Sequence, residues 1–274
     1  PGQGQAGGFG EEGMSKPMVV TIDGPAGAGK STVAKALAKK LGISFMDTGA
    51  MYRALTIKAL RKGLDLEDEA ALVKLAHETR IDLIDKPGQP LKVMLDDEDV
   101  SEAIRSQDVT KNTYFIARTP GVREVMVQWQ RQIGEKRPVV GDGRDLGTVV
   151  FPEATFKFYL DAEFKVRCQR RVDELRAKGQ AVDEAALARD LSERDQRDLN
   201  RKVGPLKKAD DAIYVDSTSM TADQVVEFMV QKILERGSKV YNEWDETRRQ
   251  LRTLEEWFLD LAWVPLVLFC ITCS

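Results

Sequence analysis

Eight residues, Gly24-Pro25-Ala26-Gly27-Ala28-Gly29-Lys30-Ser31, limit what this chain can fold into. They follow the apolar run Met18-Val19-Val20-Thr21-Ile22 and precede the helix-like stretch Thr32–Leu41. Between the two the chain must turn sharply while successive N–H groups converge on one place. Glycine tolerates every dihedral such a turn asks for. The spacing is that of the phosphate-binding P-loop. It predicts that the loop and the positive end of the next helix, from Gly24 to Thr32, cradle a triphosphate. Lys30 then reaches the terminal phosphates and Ser31 offers its hydroxyl to Mg²⁺.

With 274 residues, 42% of them hydrophobic, the chain can bury a core without staples. The net charge of −3, with both signs interspersed, gives no basic stripe and speaks against polymeric nucleic acid as a ligand. Three cysteines, Cys168, Cys270 and Cys273, form neither a disulfide framework nor a paired set of metal ligands, so a reducing cytoplasm is expected. The single histidine, His77, excludes a His-based relay and reads as a helix-end surface residue. Residues 1–16 are glycine-rich with few large apolar side chains and are expected to be disordered. Met14 stands just ahead of the first strand, so the residues before it read as upstream of the natural start.

After Gly42, Ile43–Met46 reads as a strand, and a helix follows from Asp47-Thr48-Gly49 to about Arg61. It sets Thr48 and Tyr52 four apart on one face with Arg53 beside them, a hydroxyl, a ring and a cation suited to a phosphorylated planar ligand. Thr48 is equally suited to be an N-cap, and Arg53 to be a solvated charge. Residues 64–77 read as a helix. Arg80–Ile84 and Leu91–Leu95 alternate around the turn Lys86–Pro90, an antiparallel hairpin that reads as an insert over 78–112 closing on a second substrate. Helical patterns cover Asn112–Ala117 and Gly121–Ile133, the latter with Arg123.

Pro138–Gly141 is a short buried strand with Asp142-Gly143-Arg144-Asp145 at its carboxyl end, where ligands collect in parallel sheets. Phe156–Leu160 is the next strand, with Asp161 expected to cap the helix Ala162–Lys178 that carries Arg167, Arg170 and Arg171. Asp183–Lys202 is a charged helix with Arg194, Asp198 and Arg201 on one face, either a solvated element or a lid over 179–205, between Gly179 and Gly204-Pro205. Ala212–Val215 and the helix Thr221–Arg236, opened by a Thr221/Gln224 capping box, complete the pattern. Five strands, each followed by helix, predict a three-layer α/β P-loop NTPase fold: a five-stranded parallel sheet with helices on both faces, a small β-rich insert and a helical lid.

The stretches Thr21–Ser31, Asp47–Arg53, Glu98–Arg105, Gly141–Pro152 and Glu193–Arg201 together resemble those of the bacterial cytidylate kinases, nucleoside monophosphate kinases. The resemblance covers about residues 18–236 and implies a kinase domain over 17–236 that phosphorylates CMP or dCMP from ATP with Mg²⁺, as a monomer. It implies that Arg53, Arg144 and Arg201 hold the acceptor phosphate, Arg123 and Asp145 read the cytosine, and Arg194 and Asp198 contact the ribose side. Tyr52 then packs on the acceptor with Thr48 nearby. Where the family offers a serine before Arg123, this chain has Asn112-Thr113-Tyr114-Phe115, so Thr113 and Tyr114 are the candidates. On the donor side Arg170 and Arg171 are expected to reach ATP phosphates, while Asp142, a Walker B-like carboxylate, orients metal-bound water or Lys30. Another small-molecule kinase acting on UMP or AMP is the rival reading; a guanine switch lacks its Asn-Lys-x-Asp stretch here.

Residues 237–274 lie beyond this pattern. Val240–Glu256 is charged, and Leu261–Cys273, interrupted at Pro265, is short of the ~20 residues needed to span a bilayer. A peripheral membrane contact, the start of a fused membrane-associated domain and misread sequence remain open for it.

Overall fold

The computed structural model describes residues 16–86 and 89–249, with side chains through 236. Five strands form a parallel sheet in the order β2-β6-β1-β7-β8: β1 is Val19–Asp23, β2 Ser44–Asp47, β6 Val139–Gly143, β7 Phe156–Asp161 and β8 Ile213–Asp216. All were expected within one or two residues. β1 is central and buried along its whole length, which is why Val19, Val20 and Ile22 fall on both faces instead of alternating with exposed polar residues. In register, Val20 lies between Val140 and Phe156, and Ile22 between Asp142 and Phe158.

Two apolar cores flank the sheet. One joins α1 (Lys30–Leu41) and α8 (Ala222–Arg249) to it through Leu37, Val33, Met229 and Ile233. The other packs α2 (Thr48–Arg61), α3 (Glu69–His77), α4 (Gln107–Arg118) and α5 (Pro120–Lys136) around Met51, Leu55, Leu72, Ile116 and Met126. The same core includes Leu83, Val93 and Leu95 from a three-stranded antiparallel sheet of β3 (Ile81–Ile84), β4 (Lys92–Leu95) and β5 (Glu98–Asp99). The hairpin is therefore present and gains a third strand. Asp96, at φ 54, makes the left-handed turn that brings β5 back on β4. α6 (Phe164–Ala177) and α7 (Glu184–Leu199) pair at the carboxyl edge of the sheet.

Several boundaries move. α3 begins at Glu69, where Asp68 accepts from Ala71 N, not at residue 64. α4 starts at Gln107 behind the Ser106 cap, so residue 112 lies inside a helix. Asp161 does not cap α6: that helix opens after Glu163 with no capping side chain, and Asp161 Oδ1 accepts from Ala162 N instead. The charged helix ends three residues earlier than expected, at Leu199, with Asp183 as its N-cap. The Thr221/Gln224 capping box forms as read, each residue's N–H donating to the other's side-chain oxygen. His77 ends α3, exposed. The backbone of α8 continues beyond Arg236 to Arg249; residues 1–15 and the apolar run 261–273 fall outside the described residues.

Candidate active site

All five parallel strands carry an aspartate at or next to the carboxyl end: Asp23, Asp47, Asp142, Asp161 and Asp216. The P-loop leaves β1 at this edge. Gly24 is required there because a Cβ would fall 2.0 Å from the Leu160 carbonyl of β7, and Gly29 because it caps α1 at φ 90. With no side-chain cap on α1, its first-turn N–H groups stay available to an anion. Lys30 is buried, and its Nζ donates back to the Pro25 carbonyl at 2.6 Å. Burial, then the nearby Arg144 and Arg194, push its pKa well below the ordinary lysine value, against Asp142 and Asp198. Pro25 and Ala26 are buried, Ala28 is buried beside them, and Ser31 and Thr32 open the exposed first turn of α1.

Ser31 Oγ donates to Asp142 Oδ2, so the hydroxyl and the β6 carboxylate meet, while Lys30 does not reach Asp142 by a hydrogen bond. Asp142 is pushed up to about 7, first by burial and next by Asp47, its register partner on β2; Ser31, Lys30 and Arg53 oppose the shift. Its Oδ1 is buried and has no partner among the described residues. A hydroxyl beside a carboxylate with a free buried oxygen is an all-oxygen donor set that fits Mg²⁺, which takes one or two protein ligands and completes its shell with water and phosphate.

Across from the loop lies a cluster of arginines. Asp198 of α7 accepts from Arg144 Nε at 2.7 Å on one oxygen and from Arg201 Nη2 on the other. Burial opposes its charge, yet Arg144, Arg201 and Arg194 outweigh burial and hold it at about 2. Desolvation of its guanidinium and the adjacent Arg144 lower Arg194 to about 10, although the residue as a whole is exposed. Arg53 is half-buried and pairs with Asp47 at 3.2 Å. Thr48 is not the cap of α2. Asp47 is, accepting from Ala50 N at 2.7 Å, and Thr48 Oγ1 donates to the Asp142 carbonyl at 2.6 Å, bracing α2 against β6.

Deeper in, Arg123 of α5 is 2% exposed and pairs with Asp145. Burial raises the Asp145 carboxyl above its ordinary value, with Arg123 and Arg201 pulling it back. The Tyr52 ring lies 5.8 Å from the Arg123 guanidinium, so Tyr52, Arg123 and Asp145 form one buried group. Thr113 faces α2, its Oγ1 3.3 Å from Thr56 Oγ1, while the Tyr114 ring has Arg118 at 5.3 Å and Arg197 of α7 at 5.4 Å. Arg170 is tied to the loop after β8, through Ser217 O at 2.6 Å and Ser217 Oγ at 3.0 Å, and to the P-loop through Ala28 O at 3.4 Å. Arg171 pairs with Glu174 at the surface.

Three neighbours of the site were given no role from sequence. Asp23 accepts from Leu146 N and Gly147 N at 2.9 and 2.7 Å, holding the single π-helical turn Leu146–Val150 that follows Asp145. Burial pushes it up to about 6 against these bonds. A carboxylate closing a largely apolar strand just before the glycines was the available signal. Arg167 and Asp195, which meet 28 positions apart in sequence, gave none.

A nucleotide switch has one phosphate chain to hold; a second, cationic cluster beside the loop is the layout of a P-loop kinase. The sequence agrees with one branch of that class. The family model described as cytidylate kinase matches residues 20–235, and the chain belongs to that family. It is 49% identical over 217 residues to a cytidylate kinase of Desulforamulus reducens, covering 79% of this chain and 97% of that one. With a cytidylate kinase of Bacillus licheniformis the identity is 47% over 226 residues, 82% and 100% of the two chains. A third, from Pelotomaculum thermopropionicum, is 47% identical over 214 residues, 78% and 95%.

Proposed function

We propose that the chain transfers the γ-phosphoryl group of ATP to the 5′-phosphate of CMP or dCMP. The observation that carries the reading is where buried polar atoms go unpartnered. Of the five such side-chain atoms among the described residues, Asp142 Oδ1, Arg123 Nε and Arg201 Nε belong to residues at the expected metal, base and phosphate positions. Leaving a buried donor or acceptor unpaired costs about 1–3 kcal/mol, a cost that a bound nucleotide removes.

The acceptor oxygen is already anionic, so the residues' work is positioning and charge neutralisation rather than base catalysis. The P-loop from Gly24 to Thr32 surrounds the donor phosphates and holds them with the amides not already committed, since Pro25 has none and the Ala26 N–H is on Asp195, and Lys30 leaves the Pro25 carbonyl to meet them. Mg²⁺, when bound beside Ser31 and Asp142, offsets phosphate charge. Arg53, Arg144 and Arg201 hold the acceptor phosphate, with Asp198 keeping the last two guanidiniums side by side until it arrives. Arg194 and Asp198 face the ribose. Arg170, expected to reach donor phosphates, is taken up by Ser217 and the Ala28 carbonyl and braces the donor loop, and Arg171 exchanges Glu174 for donor phosphate. Tyr52 packs on the acceptor base beside Thr48 and Thr113, Arg123 Nε donates to it, and Asp145 accepts from the cytosine amino group. A uracil carbonyl at Asp145 meets an anion with no donor, which disfavours UMP. The kinase domain spans 17–236, with 78–112 and 179–205 as the parts that close. Among the described residues no helix is long and apolar enough to cross a membrane. We take the protein to act in pyrimidine nucleotide metabolism, as a monomer in the cytoplasm. A coupled ADP-release assay over CMP, dCMP, UMP and AMP tests the reading. Turnover is expected with CMP or dCMP well above UMP; no turnover with any acceptor, together with tight ATP or GTP binding, overturns it in favour of a switch.

A further inference from the structure

Both polar atoms of residue 26 in the P-loop are held from outside the loop. Its N–H donates to Asp195 Oδ1 of α7 at 3.0 Å, and its carbonyl accepts from Arg167 Nη1 of α6 at 2.8 Å. The same Nη1 donates to Asp195 Oδ2 at 2.5 Å, closing a ring of three groups, and Arg167 Nε is anchored on the Ala162 carbonyl at 3.1 Å. The two side chains are 10% and 11% exposed, so neither contact is a screened surface pair. Gly27 presses on the same place: a Cβ there would lie 3.0 Å from the Arg167 carbonyl and 3.1 Å from Arg167 Cβ.

α7 has few other means of fixing its position. Its buried residues are Leu191, Asp195 and Asp198, one apolar and two acidic. Asp195 grips the donor loop. One turn later Asp198 grips Arg144 and Arg201 on the acceptor side. A rigid helix turn joins the two, about 5 Å of rise along its axis. From this juxtaposition we infer that Asp195, seated on Arg167, is a positioning residue that sets the distance between the donor loop and the acceptor arginines and couples the occupancy of one half-site to the other. It touches neither substrate. The charged pair is suited to the task because its bonds are directional and short, whereas apolar packing would let α7 slide.

The inference rests on the proposed function, and the test keeps the two apart. Wild type, Asp195→Asn, Asp195→Ala and Arg167→Lys are compared for thermal unfolding, for kcat and KM with CMP and ATP, and for binding of a non-hydrolysable ATP analogue and of CMP, each with and without the other. Asp195→Ala is expected to lower kcat about 10²-fold, the scale of an ångström-sized misplacement of reacting groups, with a smaller change in either KM. Wild type is expected to bind CMP more tightly when the analogue is present, and the variants to lose that coupling. Asp195→Asn keeps an acceptor for the Ala26 N–H and should recover part of both. Folded variants with wild-type kcat and wild-type coupling overturn the inference. If Asp195→Ala shows no cooperative unfolding, Asp195→Asn and Arg167→Lys decide by the same criteria. Absence of CMP turnover in wild type defeats the function instead, and the strut is then judged by analogue affinity alone: unchanged affinity in Asp195→Asn and Arg167→Lys overturns it.

Discussion

A carboxyl held at about 7 by burial and by Asp47 is partly protonated near neutrality, so the charge on Asp142 changes with pH there. Its proton is bound more tightly in the folded chain than in the unfolded one, where the value is 3.8. Between these values the folded state holds more protons, so this group's contribution to stability is full below 3.8 and is lost as pH rises through about 7. Asp23 acts in the same sense, but only up to about 6. Asp142→Asn is expected to flatten the decline in urea-unfolding free energy of the nucleotide-free enzyme across that range, most clearly above the Asp23 value; an unchanged slope refutes the assignment. Asp145 poses a different test, because Arg123 beside it is 2% exposed. Asp145→Ala strands a buried cation, a loss of about 3–5 kcal/mol that would obscure any effect on specificity. Asp145→Asn keeps the volume. If a charged acceptor hydrogen bond to cytosine is worth about 1.5–3 kcal/mol, the CMP over UMP preference in kcat/KM should fall roughly 10-fold to 100-fold in that variant. Equal preference in both proteins removes Asp145 from base recognition.

At the level of elements, α7 is the piece whose attachment is polar and local. Leu191 is its one buried apolar residue, and the stretch from Lys178 to Gln180, around Gly179 at φ 74, is exposed. Segments with few buried apolar contacts open at low free energy, so this helix should swing more readily than α1 or α2, whose apolar faces sit in the two cores. Its far contacts are Arg144, which pairs with Asp198, and the Tyr114 ring under Arg197. Limited trypsin digestion should accordingly cut first near Lys178 and within α7, and CMP with a non-hydrolysable ATP analogue should slow that cut more than either nucleotide alone. Equal protection by the analogue alone would show that the acceptor side takes no part in closure. Charge spacing alone did not separate the lid reading of this helix from a solvated element, since solvated helices show the same i,i+4 pattern.

For the molecule as a whole, what could be read in advance were features that local chemistry dictates. Buried parallel strands are apolar runs, the phosphate loop needs Gly24 and Gly29, and Thr221 with Gln224 announces a helix start. Contacts between distant elements left no such trace: the ring of Ala26, Arg167 and Asp195 joins three elements, and Thr48 turned out to brace β6 because Asp47 had taken the cap. The division near residue 236 falls between these cases, since the sequence pattern ends there while the backbone of α8 runs on. Among the described side chains, the last of α8 in the sheet core are Met229 and Ile233, followed by Arg236, whose guanidinium lies 5.8 Å from the Phe156 ring. A chain ending after Arg236 keeps all of these contacts and every residue of the proposed site. Its kcat/KM for CMP should therefore match that of the full chain, and its cooperative unfolding should remain, with a loss no larger than about 1 kcal/mol from fraying of the shortened helix end. A tenfold fall in kcat/KM would mean that residues 237–274 reach the site, and sedimentation of the full chain alone with lipid vesicles would mean that they carry a membrane contact.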